Sequence, residues 1–113
     1  MTRISKISEA PPTAVEEALT RLGRNIRTAR LRRRLTREDL AKRIGISRQV
    51  LGQIEKGKPT TAVAAYLGAL WALGLLRQLK NVADPDCDEQ GKTLESARSP
   101  KTAPKRWKID DDF

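Results

Sequence analysis

Apolar residues recur along this chain at steps of three and four, broken by short polar or glycine-containing stretches. Val15, Leu19, Leu22, Ile26 and Ala29 fall on such steps and form one face of a helix predicted over 14–33. Thr13 followed by Glu16 fits a capping box at its start, the hydroxyl taking a backbone N–H and the carboxylate reaching back. Arg21, Arg24, Arg27, Arg32 and Arg34 point elsewhere. A second helix is predicted from Thr36. Glu38 and Asp39 lie in its first turn, where the helix dipole favours anions. Leu40, Ala41 and Ile44 face inward. Gly45 stands where this helix must stop, since glycine tolerates the left-handed conformation. Ile46 is expected as a buried plug. Ser47 is placed to cap a third helix running to about Lys56, with Leu51 and Ile54 inward and Gly57 at its end.

A fourth helix is expected after Thr60 or Thr61. Its sequence, AVAAYLGALWALG, is apolar nearly all round. Such a helix is buried on more than one side, and in a small protein that points to a subunit interface. Gly74 interrupts it, and LLRQLKNVA is a candidate fifth short helix stopped by Asp84 and Pro85. Residues 1–12, ending in Pro11 and Pro12, read as a flexible arm. From Asp84 the pattern fades into a polar segment with Pro85, Pro100 and Pro104, expected to be mostly irregular. The predicted organisation is an arm over 1–12, a helical domain over 13–83 and a tail over 84–113. No internal repeat is visible.

Composition sharpens this picture. With 113 residues, 38% of them hydrophobic and 4% aromatic, the chain supports one modest helical core. A core this thin often relies on a second subunit. The net charge of +9 is unevenly spread. Residues 1–60 hold 15 Lys/Arg against 6 Asp/Glu, while 61–113 hold 8 of each. The excess therefore sits with the predicted second and third helices. It suits either a polyanion-binding surface or a solvated basic one, and charge alone does not decide.

Other classes find little support. Cys87 is the single cysteine, so no intramolecular disulfide forms. No apolar run approaches the ~18–20 residues a membrane span needs. MTRISKISEAPP has no apolar core, so a secretory signal is not expected and a cytoplasmic location is. The chain has no His, no Gly-rich phosphate loop and no nucleophile beside an evident base. Neither catalysis nor a cofactor is expected. Asp84, Asp86, Asp88 and Glu95 have the spacing of a calcium-binding loop. Glu89 stands where such a loop needs Gly, and Pro85 stiffens it, so no metal is expected.

Two short helices about a glycine turn with an isoleucine plug make a helix-turn-helix, whose second helix can lie in a DNA major groove. Leu35 to Ala41, Gly45-Ile46-Ser47, Leu51, Ile54 to Lys58 and Ala72-Leu73-Gly74 together resemble the XRE family of phage-repressor and Cro-like DNA-binding domains. The resemblance spans Leu22 to Leu75. It implies an all-α fold: a lambda-repressor-like, Cro-type five-helix domain with an irregular C-terminal tail. It also implies base contacts from Arg37, Ser47, Arg48, Gln49, Gly52 and Gln53. The chemistry agrees, since Arg48 can pair with guanine, Gln49 or Gln53 with adenine, and Val50 can meet a thymine methyl. Gly52 costs a helix ~1 kcal/mol relative to Ala, which leaves both close DNA approach and tolerated drift open. Arg30 and Glu55 match an ion pair that ties the first helix to the third in this family. Arg34, Thr36, Lys56 and Lys58 are expected at phosphates, with Arg37 a further candidate there, and a solvated helix end is the alternative for the arginine run 30–34. Tyr66, Leu70 and Trp71 are expected either at a homodimer interface or in the monomer core.

The tail adds a second resemblance. ADPDCDEQGKTLE, followed by a basic patch and a short acidic end, is similar to the C-terminal extension of HipB-like antitoxins. That resemblance implies an autoregulating repressor that binds a HipA-like serine/threonine kinase toxin. The alternative is a stand-alone XRE-family regulator with no toxin partner. Trp107 and Ile109, on one face of RWKID, with Phe113 at the end, are either a partner-binding segment or incidental.

Overall fold

The structure, a computed structural model, describes residues 5–98. The expected partner-binding residues Trp107, Ile109 and Phe113 lie outside them. Every regular element among the described residues is a helix, with no strand. In chain order they form α1 (Lys6–Glu9), α2 (Thr13–Arg32), α3 (Arg37–Ile44), α4 (Arg48–Glu55), α5 (Val63–Ala72) and α6 (Glu89–Arg98). Two 3-10 helices, Leu76–Asn81 and Pro85–Cys87, stand between α5 and α6. The chain divides into two compact units, one ending at Gln78 and the other beginning at Leu79. The predicted boundary lay five residues later, at 83/84.

In the first unit the apolar periodicity becomes a core. Ile26 of α2, Leu40 of α3 and Leu51 and Ile54 of α4 are fully buried. Tyr66, Ala69 and Leu70 of α5 join them, with Ala41 and Leu73. Full burial of each large aliphatic side chain stabilises by about 1.5–3 kcal/mol. α2 packs on α4, and α3 packs on both α4 and α5. The crossing of α2 and α4 depends on Gly23. A Cβ there would lie 2.5 Å from the Ile54 carbonyl oxygen and 2.7 Å from that of Glu55. Both obstacles are backbone, so neither can swing aside.

Several expectations are corrected. Pro12 in extended geometry (φ −55°, ψ 150°) occupies the N-cap of α2, and no side chain caps it. Thr13 is thereby the first helical residue, and the expected Thr13–Glu16 box does not form. Val15 is exposed. Gly57, two residues past α4, meets α2 at Leu19 and Thr20, and Val15 lies a turn before that contact. Ile46 is half-buried rather than a fully buried plug. The expected flexible arm contains the single turn α1, capped by the Ser5 hydroxyl accepting from the Ser8 N–H. The fifth helix is a 3-10 helix.

Over 84–98, the described part of the tail expected to be mostly irregular, the chain is helical instead. Asp84 Oδ1 accepts from the Asp86 N–H at 2.9 Å, which caps the 3-10 turn. Asp88 Oδ1 accepts from the Gly91 N–H at 2.9 Å, just ahead of α6. Lys92 Nζ then reaches the Asp86 carbonyl at 2.6 Å and the Glu89 carboxylate at 3.2 Å. Asp84 and Asp88, two of the acidic residues whose spacing suggested a calcium loop, thus serve as local caps, the use short carboxylates find at turn and helix starts.

Candidate nucleic-acid interface

Local chemistry sets the two helices and the turn between them. Thr36 Oγ1 accepts from the Asp39 N–H at 3.0 Å, and Asp39 Oδ2 accepts from the Thr36 N–H at 3.1 Å. This reciprocal box fixes the start of α3. The Thr36 backbone N–H, and after it the Thr36 hydroxyl, hold the Asp39 carboxyl below its ordinary pKa. Gly45 ends α3 at φ 87°, a left-handed conformation that suits glycine. Ser47 caps α4 by accepting from the Val50 N–H at 3.1 Å. α2 ends with the same turn without a glycine. Arg34 takes φ 54°, and the Leu35 N–H returns to the Arg30 carbonyl at 3.2 Å.

With Leu51 and Ile54 buried beneath α4, residues 48, 49, 52 and 53 fall on its opposite side. Arg48 and Gln49 are exposed, as is Ser47 at the cap, and Gly52 and Gln53 are half-buried. These four residues and Arg37, Lys56 and Lys58 line an open concavity of about 650 Å³. The structure therefore brings five of the six expected base-contact residues to one surface, with two of the four expected phosphate contacts. Ser47 stands at the α4 N-cap instead. A neighbouring concavity of about 580 Å³ is lined by Arg27, Leu31, Leu35, Thr36 and Glu38, and shares Arg37 and Arg48 with the first. Arg34 is exposed and lines neither.

The loop after α4 is held from beneath. The Tyr66 hydroxyl donates to the Lys58 carbonyl at 2.7 Å, and burial raises its pKa. The Lys58 N–H returns to the Gln53 carbonyl at 3.0 Å, and the Thr61 hydroxyl donates to Gln53 Oε1 at 3.3 Å. Lys58 thereby stands on a braced turn with its side chain exposed.

Arg30 and Glu55 meet beneath this surface. Arg30 Nε donates to Glu55 Oε2 at 2.6 Å, Nη2 to Oε1 at 3.2 Å, and Nη1 to the Leu35 carbonyl at 2.9 Å. Both residues are buried. Removing one partner of such a pair typically costs about 3–5 kcal/mol, because the other charge is left buried alone. Arg37 also donates to this carboxylate, through Nε to Oε1 at 3.2 Å. By contrast, the Arg48–Glu38 pair is 3.7 Å apart with both side chains exposed, and it contributes little.

Sequence reasoning gave Arg27 and Glu38 no place at the site and passed over Gly23. Arg27 had a signal, since it stands three residues before Arg30 and so on a neighbouring part of the same helix face. Of the three residues expected at a homodimer interface or in the monomer core, two take the core. Tyr66 and Leu70 are buried in the monomer core, at 3% and 7% exposure, whereas Trp71 is 63% exposed. α5 is apolar on both sides. Tyr66, Ala69 and Leu70 close the core, while Val63 and Trp71 face outward with half-buried Leu67 on the same stripe.

No helix among the described residues is long and apolar enough to cross a membrane. Comparison with curated proteins and with solved structures gives no match. Residues 26–65 do match a family model, described as helix-turn-helix. The match runs from the middle of α2 into α5 and contains the capped pair α3 and α4 whole. Over residues 26–65 the chain is thus similar to a helix-turn-helix.

Proposed function

We propose that this chain is a sequence-specific DNA-binding transcription repressor that works as a homodimer. The observation that carries the proposal is the outward face of α4. Arg48, Gln49 and Gln53 offer the hydrogen-bonding groups that read base edges, and Arg37, Lys56 and Lys58 surround them with positive charge. α4 enters the major groove in this reading. Ser47 and Gly52 lie against bases, and Arg34 and Thr36 stand near the backbone. One short helix spans few base pairs, so two copies read two half-sites.

The HipB-like character of ADPDCDEQGKTLE supports a finer reading, in which the protein is the antitoxin of a HipA-like kinase toxin and represses its own operon. The segment containing Trp107, Ile109 and Phe113 is then the toxin-facing part. Two measurements test the proposal. Duplexes selected from a random-sequence pool converge on one motif, and Arg48→Ala or Gln53→Ala relaxes one motif position by about 1–3 kcal/mol for each good base contact. No convergence from the pool contradicts sequence-specific reading. Native purification through an N-terminal tag, followed by mass spectrometry, recovers a kinase in fixed ratio. Recovery of the protein alone leaves a stand-alone regulator.

A further inference from the structure

Glu55 carries two arginines with one carboxylate. Arg30 is spent inside, with Nε and Nη2 on Glu55 and Nη1 on the Leu35 carbonyl. Arg37 differs. It reaches Glu55 through Nε, its side chain is 42% exposed, and it stands where the two concavities meet. One buried carboxylate cannot neutralise two guanidiniums, so a net positive charge remains, and it lies on the exposed partner.

We infer that Glu55 is a positioning residue, fixing Arg37 so that its outer guanidinium edge is presented to a DNA phosphate at the ridge between the concavities. This rests on the proposed DNA-binding function and deepens it: of the two roles open to Arg37, base reader and phosphate contact, it assigns the second and makes Glu55 the residue that presets it. The physical reason is the planar fork. Arginine can hold an inner partner through Nε and still offer Nη groups to a second anion. Lysine has the charge without the fork. Held in advance, the side chain does not lose its rotamer freedom again when DNA arrives. A clamp of this kind sets the register of α4 in the groove and carries no sequence preference of its own.

The test uses the full chain and a duplex that the wild-type protein has selected from a random pool. Affinity is followed by fluorescence anisotropy across a salt series. Arg37→Lys is expected to weaken binding roughly two- to tenfold, the fold-change of fixing one long side chain, with the salt slope unchanged because the charge is kept. Arg37→Ala is expected to lower the magnitude of that slope by about 0.9, one phosphate contact. Glu55→Gln is expected to weaken binding in the wild-type background and to add nothing in the Arg37→Lys background. Wild-type affinity for Arg37→Lys would overturn the inference, since a point charge would then suffice. So would an equal loss for Glu55→Gln in both backgrounds, which would mean that Glu55 acts only through the fold. If Glu55→Gln does not fold, the Arg37→Lys series decides alone. A wild-type chain that selects no duplex removes the proposed function, and the inference with it.

Discussion

Two glycines inside helices have opposite meanings, and only their surroundings separate them. Gly23 faces the backbone of α4, where a Cβ would lie 2.5 Å from the Ile54 oxygen. Gly52, in the middle of α4, has nothing within 4 Å of a Cβ. The fold therefore does not need Gly52, and alanine is the better helix former by about 1 kcal/mol. Gly52→Ala is expected to raise stability by about that amount, seen as a higher urea midpoint with an unchanged slope. The added methyl would stand on the concavity that Arg48, Gln49 and Gln53 share. A loss of DNA affinity together with the gain in stability would mark close approach of DNA. A variant that is no more stable than the parent would contradict the open surroundings of this residue. Helical period says which side of a helix a glycine is on and not what approaches that side.

At the scale of elements, legibility followed the locality of the cause. α3 and α4 could be read because their starts are set by side chains three residues away, Thr36 with Asp39 and Ser47 with Val50. The start of α2 was misread because proline took the cap from Thr13. α6 was missed because its starting signal lay in acidic residues that also had metal-loop spacing. The α3 box has a pH signature. Its hydrogen bonds lower the Asp39 pKa in the folded chain. The stabilisation is therefore fully present above the ordinary carboxylate value of about 3.9. It is lost as pH falls through the lowered folded value. Asp39→Asn is expected to lower the urea midpoint at neutral pH, and the gap to wild type is expected to close in strong acid. A gap that persists there would show that the ionised carboxylate is not the stabilising form.

At the scale of the molecule, the sequence showed where the charge lies and that α5 had apolar surface to spare, but not which side of α5 the monomer would use. Tyr66, Leu70 and Trp71 are all large residues of one helix, and the fold buries the first two and leaves the third 63% exposed. Exposed Val63, half-buried Leu67 and exposed Trp71 are spaced at four-residue steps, so they form a continuous outward stripe. A second copy of the chain meeting this stripe would bury the aromatic anchor and pair two α4 helices. Operator half-sites would then lie one helical turn, about 34–36 Å, apart or a multiple of that. Trp71→Asp is expected to shift sedimentation from dimer to monomer with helix content unchanged, because the side chain is not part of the core. Tyr66→Ala is expected to do the reverse, lowering the melting temperature through lost core packing before it alters association. Binding should separate the same way. Trp71→Asp keeps its affinity for a duplex with one half-site and loses the advantage of two. If Trp71→Asp stays dimeric, the contact between copies lies elsewhere than the outward face of α5.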